Sequence, residues 1–375
     1  MRQPDDSEQD GLVKRDDHPK ALAEQIAAWD GLAVLTHFDR PTASWVFVAL
    51  HDDTLGRPTG GTRMRMYRSP AEALDDAQRL AEGMTHKWAA VGLPFGGGKA
   101  VIAPPGPLDA GERGGLLERY GRLLASLGGI FTTGEDLGTT TDDMTEIARH
   151  TRHIMGLRDG ASADPGPYTA RGVFRGILAA LEHLDGEPAG GSRVRLSGRT
   201  VLVQGLGDVG TPLAGLLAAA GARLLLADLD PARAESLGAE LDTGIVAADR
   251  VFDTPCDVFA PCAVGGVINP RTIPLLNCRA VAGSANNQLE SAEDADRLHR
   301  RGILYAPDYV INSGAALVFG LASRGVAEPA ELERRVATIG DLLTDLFRQA
   351  RERRESPEGA AARHVQRILA RGPVA

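Results

Sequence analysis

The sequence predicts an α/β protein of two domains, the second built on a doubly wound parallel sheet. Three observations carry that prediction. The chain has 375 residues, and one domain per roughly 100–200 residues leaves room for two. From Arg199 onward, short apolar runs alternate with helical stretches, the pattern of strand–helix–strand units. A glycine-rich turn, Gly205-Leu206-Gly207-Asp208-Val209-Gly210, sits between the first of those strands and the helix that follows it.

Composition narrows the class further. Hydrophobic residues make up 43% of the chain, as expected of an ordinary soluble globular protein. A formal net charge of −9 argues against sequence-independent nucleic-acid binding, which needs a basic face for the phosphates. No run approaches the ~20 apolar residues of a membrane span, so no membrane association is expected. Residues 1–20 are charged and lack an apolar core, so they read as a flexible, solvated tail rather than a secretory signal. Cys256, Cys262 and Cys278 form no C-x-x-C pair and leave one over in any disulfide scheme, which points to a reducing, cytoplasmic setting. The histidines show no zinc spacing; His150 and His153 could share a helical face, but as a surface pair, and no metal is expected.

Along the chain, residues 21–31 read as a short amphipathic helix and Ala43–Leu50 as a strand. A helix begins at Ser69, with Ser69 as N-cap, Pro70 at the first helical position and Glu72 closing a capping box. Ala73, Ala77, Leu80 and Met84 then recur at helical spacing as one buried stripe, and three residues further that stripe reaches Lys87. A lysine on an inward face is unusual, because lysine is almost never buried unpaired. Thr200–Gln204 and Arg223–Ala227 read as strands, Pro212–Ala220 as a small-residue helix, and Asp257–Ala260, Arg279–Ala282 and Ile303–Ala306 as further strands. The division is then 21–150, 151–325 and charged C-terminal helices over 326–375, which could pack on either domain.

In the glycine turn, Gly205 permits the tight bend, Gly207 lets backbone approach a pyrophosphate and Gly210 lets helix and strand pack closely. The helix N-terminus, with Leu206, Asp208 and Val209 in the turn, offers N–H groups to an anion. Asp228 ends the next strand at about the 20-residue interval where a carboxylate accepts ribose hydroxyls. This is the fingerprint of a Rossmann-type dinucleotide domain. A carboxylate at 228 would repel a 2′-phosphate, and Leu229 and Asp230 supply no compensating arginine, so NAD is the expected cofactor.

Lys99 follows three glycines in Gly92–Lys99, but Leu93 and Ala100 stand where a phosphate-binding P-loop needs glycine and a hydroxyl. The glycines instead suggest close packing that holds the amine in a confined, partly dry pocket. Desolvation and a neighbouring cation such as Lys87 would both lower its pKa and make it a usable base. Read alone, either lysine is also consistent with a snorkelling surface residue, and Asp136, in the loop Phe131–Thr141, with a turn or cap.

These segments, in this order, resemble the amino-acid dehydrogenase family of glutamate, leucine, phenylalanine and valine dehydrogenases, and most closely its leucine/phenylalanine branch. The marks are Gly60–Met64, Gly83–Lys87, Gly96–Ile102, Glu135–Gly138, Thr169–Val173, the glycine fingerprint, Ala260–Gly266, Ala282–Gln288 and Tyr305–Gly314. The resemblance implies an N-terminal substrate and dimerisation domain, an NAD domain, and an active site in the cleft between them. It implies reversible oxidative deamination of an apolar L-amino acid to a 2-oxo acid and ammonia, carried out by a homo-oligomer. By position, Lys87 with backbone at Gly60 and Gly61 would hold the substrate carboxylate. Lys99 would activate the attacking water, and Asp136 would exchange a proton with the substrate nitrogen. Thr169, Asn286 and Asn312 would lie near nicotinamide or substrate, and Cys262 and Ala263 in the loop past the cofactor. Leu93, Phe95 and Val318 are expected near an apolar pocket. Departures at His86, Trp88 and Asn312–Phe319 leave other substrates open, such as tryptophan or a biosynthetic 2-oxo acid. A non-catalytic, NAD-binding regulatory protein is the reading from another class.

Overall fold

In the computed structural model, residues 22–158, 161–162, 166–186 and 196–373 are described; the predicted tail over 1–20 lies outside them. The chain opens with α1 (Leu22–Ala28), then β1 (Ala33–Asp39), β2 (Ser44–Asp52), β3 (Pro58–Thr59), β4 (Thr62–Met64), α2 (Pro70–Ala90), β5 (Gly96–Ala103), α3 (Ala110–Ser126) and α4 (Thr141–Ala148). These strands form a mixed sheet in the order β1-β2-β5-β3, with β4 also paired to β5. β2 runs antiparallel to β1 and β5, whereas β3 and β4 run parallel to β5. Side chains alternate across it. Val46, Val48, Ala100 and Ile102 face one core with α3 and α4. Phe47, Ala49, Val101 and Ala103 face the other, under the α2 residues Ala73, Leu74, Ala77 and Ala81.

The hairpin β6 (Leu157–Arg158) and β7 (Ala161–Ser162) and the long helix α5 (Gly166–Asp185) lead into the second sheet. It comprises β8 (Thr200–Gln204), α6 (Gly210–Ala219), β9 (Arg223–Ala227), α7 (Pro231–Leu241), β10 (Gly244–Ile245), β11 (Cys256–Pro261), β12 (Cys278–Val281), α8 (Glu293–Arg300) and β13 (Leu304–Tyr305). All of its pairings are parallel, in the order β10-β9-β8-β11-β12-β13. That is the doubly wound arrangement, whose strand order reverses between β8 and β11. Val201, Leu202 and Val203 are all fully buried, as a strand covered on both faces requires.

The chain ends in α9 (Asp308–Ile311), α10 (Gly314–Ser323), α11 (Pro329–Arg353) and α12 (Pro357–Arg371). The C-terminal helices pack on both halves, α11 against α5 and α12 against α2.

Three local expectations are corrected. Ser69 does cap α2, accepting from the Glu72 N–H at 3.2 Å, but the Glu72 carboxylate takes the Arg68 N–H at 2.9 Å. The box is therefore half formed, because the carboxylate reaches one residue further back to a spot where Arg68 also offers its guanidinium. His150 and His153 do not share a helical face, since α4 ends at Ala148. Arg233 supplies the arginine that Leu229 and Asp230 lack: from the first turn of α7 it lies 3.7 Å from Asp228 and 3.7 Å from Asp230. Among the described residues no helix is long and apolar enough to cross a membrane, and no cluster of three or more His, Cys, Asp or Glu could hold a metal ion.

Candidate active site

Lys99 sits on β5 between glycines and core. Alternation puts it on the same face as Val101 and Ala103, the face that α2 covers. The helix can lie that close because β5 carries no side chain at Gly97. A Cβ there would come within 2.5 Å of the Ala81 carbonyl oxygen and the Thr85 nitrogen. The Lys99 side chain is 4% exposed, and burial pushes its amine down from the usual lysine range, against the pull of Asp136.

Asp136 arrives from the loop after Phe131. Its Oδ1 accepts from Lys99 Nζ at 2.6 Å and its Oδ2 from Arg63 Nε at 2.9 Å. The Thr139 hydroxyl fixes the loop, accepting from the Asp136 N–H and donating to the Thr62 carbonyl. Burial alone would raise the Asp136 carboxyl, but Lys99 and Arg63 together hold it well below the usual carboxylate range.

Lys87 stands on α2, facing Lys99. Burial, with Lys99 adding to it, brings the Lys87 amine down to about 8, opposed by Asp308 and Asp136. Its Nζ donates to Asn286 Oδ1 at 3.2 Å, and Asn312 Nδ2 donates to the same oxygen at 2.8 Å. Asn286 belongs to the second sheet's loops, so this small network ties the two halves together across a cleft of about 430 Å³. Gly60, Gly61, Lys87, Lys99, Asp136, Thr169, Asp208, Val209, Asn286 and Asn312 all line that cleft. At Gly60 a Cβ would overlap the Gly98 carbonyl oxygen, so bare backbone forms the wall there.

The glycine turn lies at the switch point of the second sheet. Gly205 has φ of +91°, and a Cβ on it would lie 2.7 Å from that of Ala263. At Gly210 a Cβ would overlap the Gly205 carbonyl oxygen, so helix and turn are in direct contact. Gly207 differs: a Cβ there would meet no atom within 4 Å, so protein packing does not demand glycine at that position. No side chain caps the N-terminus of α6. Asp228 closes β9, with its oxygens accepting from the Leu206 and Asp230 N–H groups at 2.7 and 2.9 Å. Asn312 Oδ1 is buried without a hydrogen-bond partner in the structure. An open approach at Gly207, an uncapped helix start and an orphaned acceptor beside the cleft fit a dinucleotide with a nicotinamide-like carboxamide.

The chain matches the family models of the Glu/Leu/Phe/Val dehydrogenase dimerisation domain over residues 42–153 and of the glutamate/leucine/phenylalanine/valine dehydrogenases over 233–363. It is 41% identical to leucine dehydrogenase of Geobacillus stearothermophilus over 298 residues, 79% of each chain. This chain belongs to the Glu/Leu/Phe/Val dehydrogenase family. It is also 42% identical to phenylalanine dehydrogenase of Lysinibacillus sphaericus, over 72% of this chain and 71% of that one. Its backbone superimposes on the crystal structure of L-tryptophan dehydrogenase from Nostoc punctiforme with a TM-score of 0.75 at 35% identity, covering 93% of this chain and 98% of that one. The chain is thus an amino-acid dehydrogenase, an oxidoreductase with a dinucleotide-type domain.

Within this dehydrogenase, some side chains stand apart from their expected places. Leu93 and Val318 are buried in the core, and Phe95 stands one layer behind the wall, packed on Trp88, which does line the cleft; Leu80, Met84, Met155, Ala316 and Phe319 supply the rest of its apolar wall. Successive helical residues point about 100° apart, so Val318 turns inward and Phe319 outward. Cys262 does not line the cleft either; its thiol sits beside Ser284 and burial pushes it up, and its N–H donates to the Gln204 carbonyl at 2.7 Å. Sequence reasoning missed Arg63, Asp76 and Asp308. The signal for Arg63 was present in the alternation Thr62-Arg63-Met64, where Thr62 and Met64 turn to the core and Arg63 to the opposite face.

Proposed function

We propose that this dehydrogenase catalyses the reversible, NAD-dependent oxidative deamination of an apolar L-amino acid to its 2-oxo acid and ammonia, as a homo-oligomer. The observation that carries the proposal is the buried Lys99–Asp136 contact of 2.6 Å, with a second lysine facing it across an apolar-walled cleft. Lys87, cationic at neutral pH, binds the substrate carboxylate, helped by backbone at Gly60 and Gly61. The α-carbon is thereby set between the lysine pair and the glycine-turn side of the cleft. A bound nicotinamide dinucleotide supplies a hydride acceptor there. Lys99, which burial drives toward its neutral form, takes a proton from water as the water adds to the imino carbon. Asp136 exchanges a proton with the substrate nitrogen as it leaves as ammonia. The short Lys99–Asp136 contact gives those protons a path that avoids solvent.

Leu80, Met84, Met155 and Phe319 support an apolar side chain. Tryptophan is the second reading, supported by the extent of the likeness to the Nostoc enzyme. Asp228 supports NAD over NADP, because a 2′-phosphate would face its carboxylate. Arg233 does not reverse that preference, since its charge is already shared between Asp228 and Asp230.

The test is NADH formation with leucine, valine, phenylalanine, tryptophan and glutamate, then NADH consumption with the matching 2-oxo acids and ammonia. Turnover of one apolar member, abolished in Lys99→Ala while NADH binding persists, is the expected result. Binding without turnover of any member would support a non-catalytic protein. Equal kcat/KM for NADP and NAD would refute the cofactor assignment.

A further inference from the structure

Arg63 is the group behind the reacting pair that the chemistry above leaves unused. It does not line the cleft, yet its side chain is only 12% exposed and it spans two carboxylates. Its Nε donates to Asp136 Oδ2 at 2.9 Å, and its Nη1 to Asp76 Oδ2 at 3.0 Å. The Tyr67 hydroxyl donates to that same Asp76 oxygen at 2.6 Å. A planar guanidinium can hold two carboxylates in fixed directions; a single ammonium cannot. With Oδ2 taken by Arg63, Asp136 presents Oδ1 to Lys99.

We propose that Arg63, anchored from behind by Asp76 and Tyr67, is a positioning residue: it fixes the orientation of Asp136 and sets the charge balance in which Lys99 gives up its proton. The proposal rests on the reading of Lys99 and Asp136 given above. The charged groups that face Lys99 are Asp136 from its loop, Arg63 from β4, and Asp76 and Lys87 from α2, with Asp308 beyond Lys87. Arg63 is a cation close to the amine and disfavours a second positive charge there, so loss of Arg63 leaves Lys99 more firmly protonated. Loss of the Asp76 charge acts in the opposite sense.

The experiment is the pH dependence of kcat for oxidative deamination, at saturating concentrations of the best amino acid of the panel and of NAD. It compares wild type, Arg63→Gln, Arg63→Lys and Asp76→Asn, with thermal unfolding and NADH fluorescence as controls for folding. In Arg63→Gln the acidic limb moves up by about one pH unit and kcat falls by at least ~10-fold. Arg63→Lys restores the limb, because the charge returns, but not kcat, because the fork does not. Asp76→Asn moves the limb down, a shift of opposite sign that keeps the test intact should Arg63→Gln fail to fold. An unmoved limb in folded Arg63→Gln or Asp76→Asn overturns the proposal, whatever happens to kcat. Near-normal kcat in Lys99→Ala sinks the reading of Lys99 and this proposal with it. An inactive Lys99→Ala beside an unmoved limb sinks this proposal alone.

Discussion

Replacing Lys87 by glutamine removes a charge and keeps a hydrogen-bond donor of similar reach. In the structure the amine meets Asn286 Oδ1 at 3.2 Å and stands on the cleft wall near the bare backbone of Gly60 and Gly61. A hydrogen bond to a charged group contributes about 1.5–3 kcal/mol, and each 1.36 kcal/mol is tenfold. Loss of the charge should therefore raise KM for the carboxylate substrate by roughly 10- to 150-fold, with a smaller effect on kcat. Burial and Lys99 bring the Lys87 amine down to about 8, so the advantage of wild type should itself depend on pH. Below that value the lysine is a cation and the full difference appears. Above it the lysine loses its proton in the free enzyme, and kcat/KM of wild type falls toward that of the variant.

The assay is best run in the aminating direction with the 2-oxo acid, whose carboxylate stays ionised and which carries no amine to titrate. Ammonia is held saturating and the ratio of kcat/KM between wild type and Lys87→Gln is followed from pH 6.5 to 9.5. The ratio should be largest below pH 8 and shrink above it. A ratio near one at pH 7 would refute the carboxylate role. A large ratio that stays constant across the range would mean that Lys87 acts through its shape and not its charge.

Two further outcomes concern stability. Gly97→Ala forces a Cβ within 2.5 Å of backbone atoms of α2, so β5 and the helix must separate. Overpacking of this kind costs about 1–3 kcal/mol; a lowered melting temperature is expected, and an unchanged one would refute the close approach. Glu358, in the first turn of α12, is raised to about 8 by burial first and then by Asp308. Its folded value lies above the ~4.3 of an unfolded glutamate, so the folded state loses stability as pH rises through that window. Glu358→Gln should therefore raise the melting temperature at pH 8 and raise it far less at pH 4.5. A gain of equal size at both values would trace the effect to packing.

The parts legible in the sequence were those in which a local pattern meets a backbone requirement. β8, β9 and the glycine turn were readable because a strand buried on both faces is continuously apolar and the bend after it needs a positive φ at Gly205. The start of α2 was readable from Ser69 and Pro70, and the dry setting of Lys99 from its three glycines. What stayed hidden depends on distance along the chain. β3, β10 and β13 are two residues long, too short to show any period. Arg63 has meaning only once β4 has brought it against carboxylates 13 and 73 residues further along the chain. Arg233 reaches Asp228 because Asp230 caps α7 and turns the first helical turn back over the end of β9.

The element on which the whole site depends is α2. It carries Lys87 on the face that meets the cleft and Asp76, which holds Arg63, further back. Its alanines let it lie directly on β5 and so over Lys99, while α9 and α12 pack against it from the other half. Lys87 then reaches Asn286 across the cleft. The amine proposed to bind substrate and the Asp76 anchor behind Arg63 are therefore carried by one helix. A shift of α2 relative to the second sheet changes the Lys87–Asn286 contact directly, whereas Lys99 belongs to β5 of the sheet beneath it and Asp136 to a loop bridged to that sheet at Glu135. The same packing that brings the two lysines together thus sets them in different surroundings: Lys87 touches the second half through Asn286, and Lys99 is buried on β5 of the first.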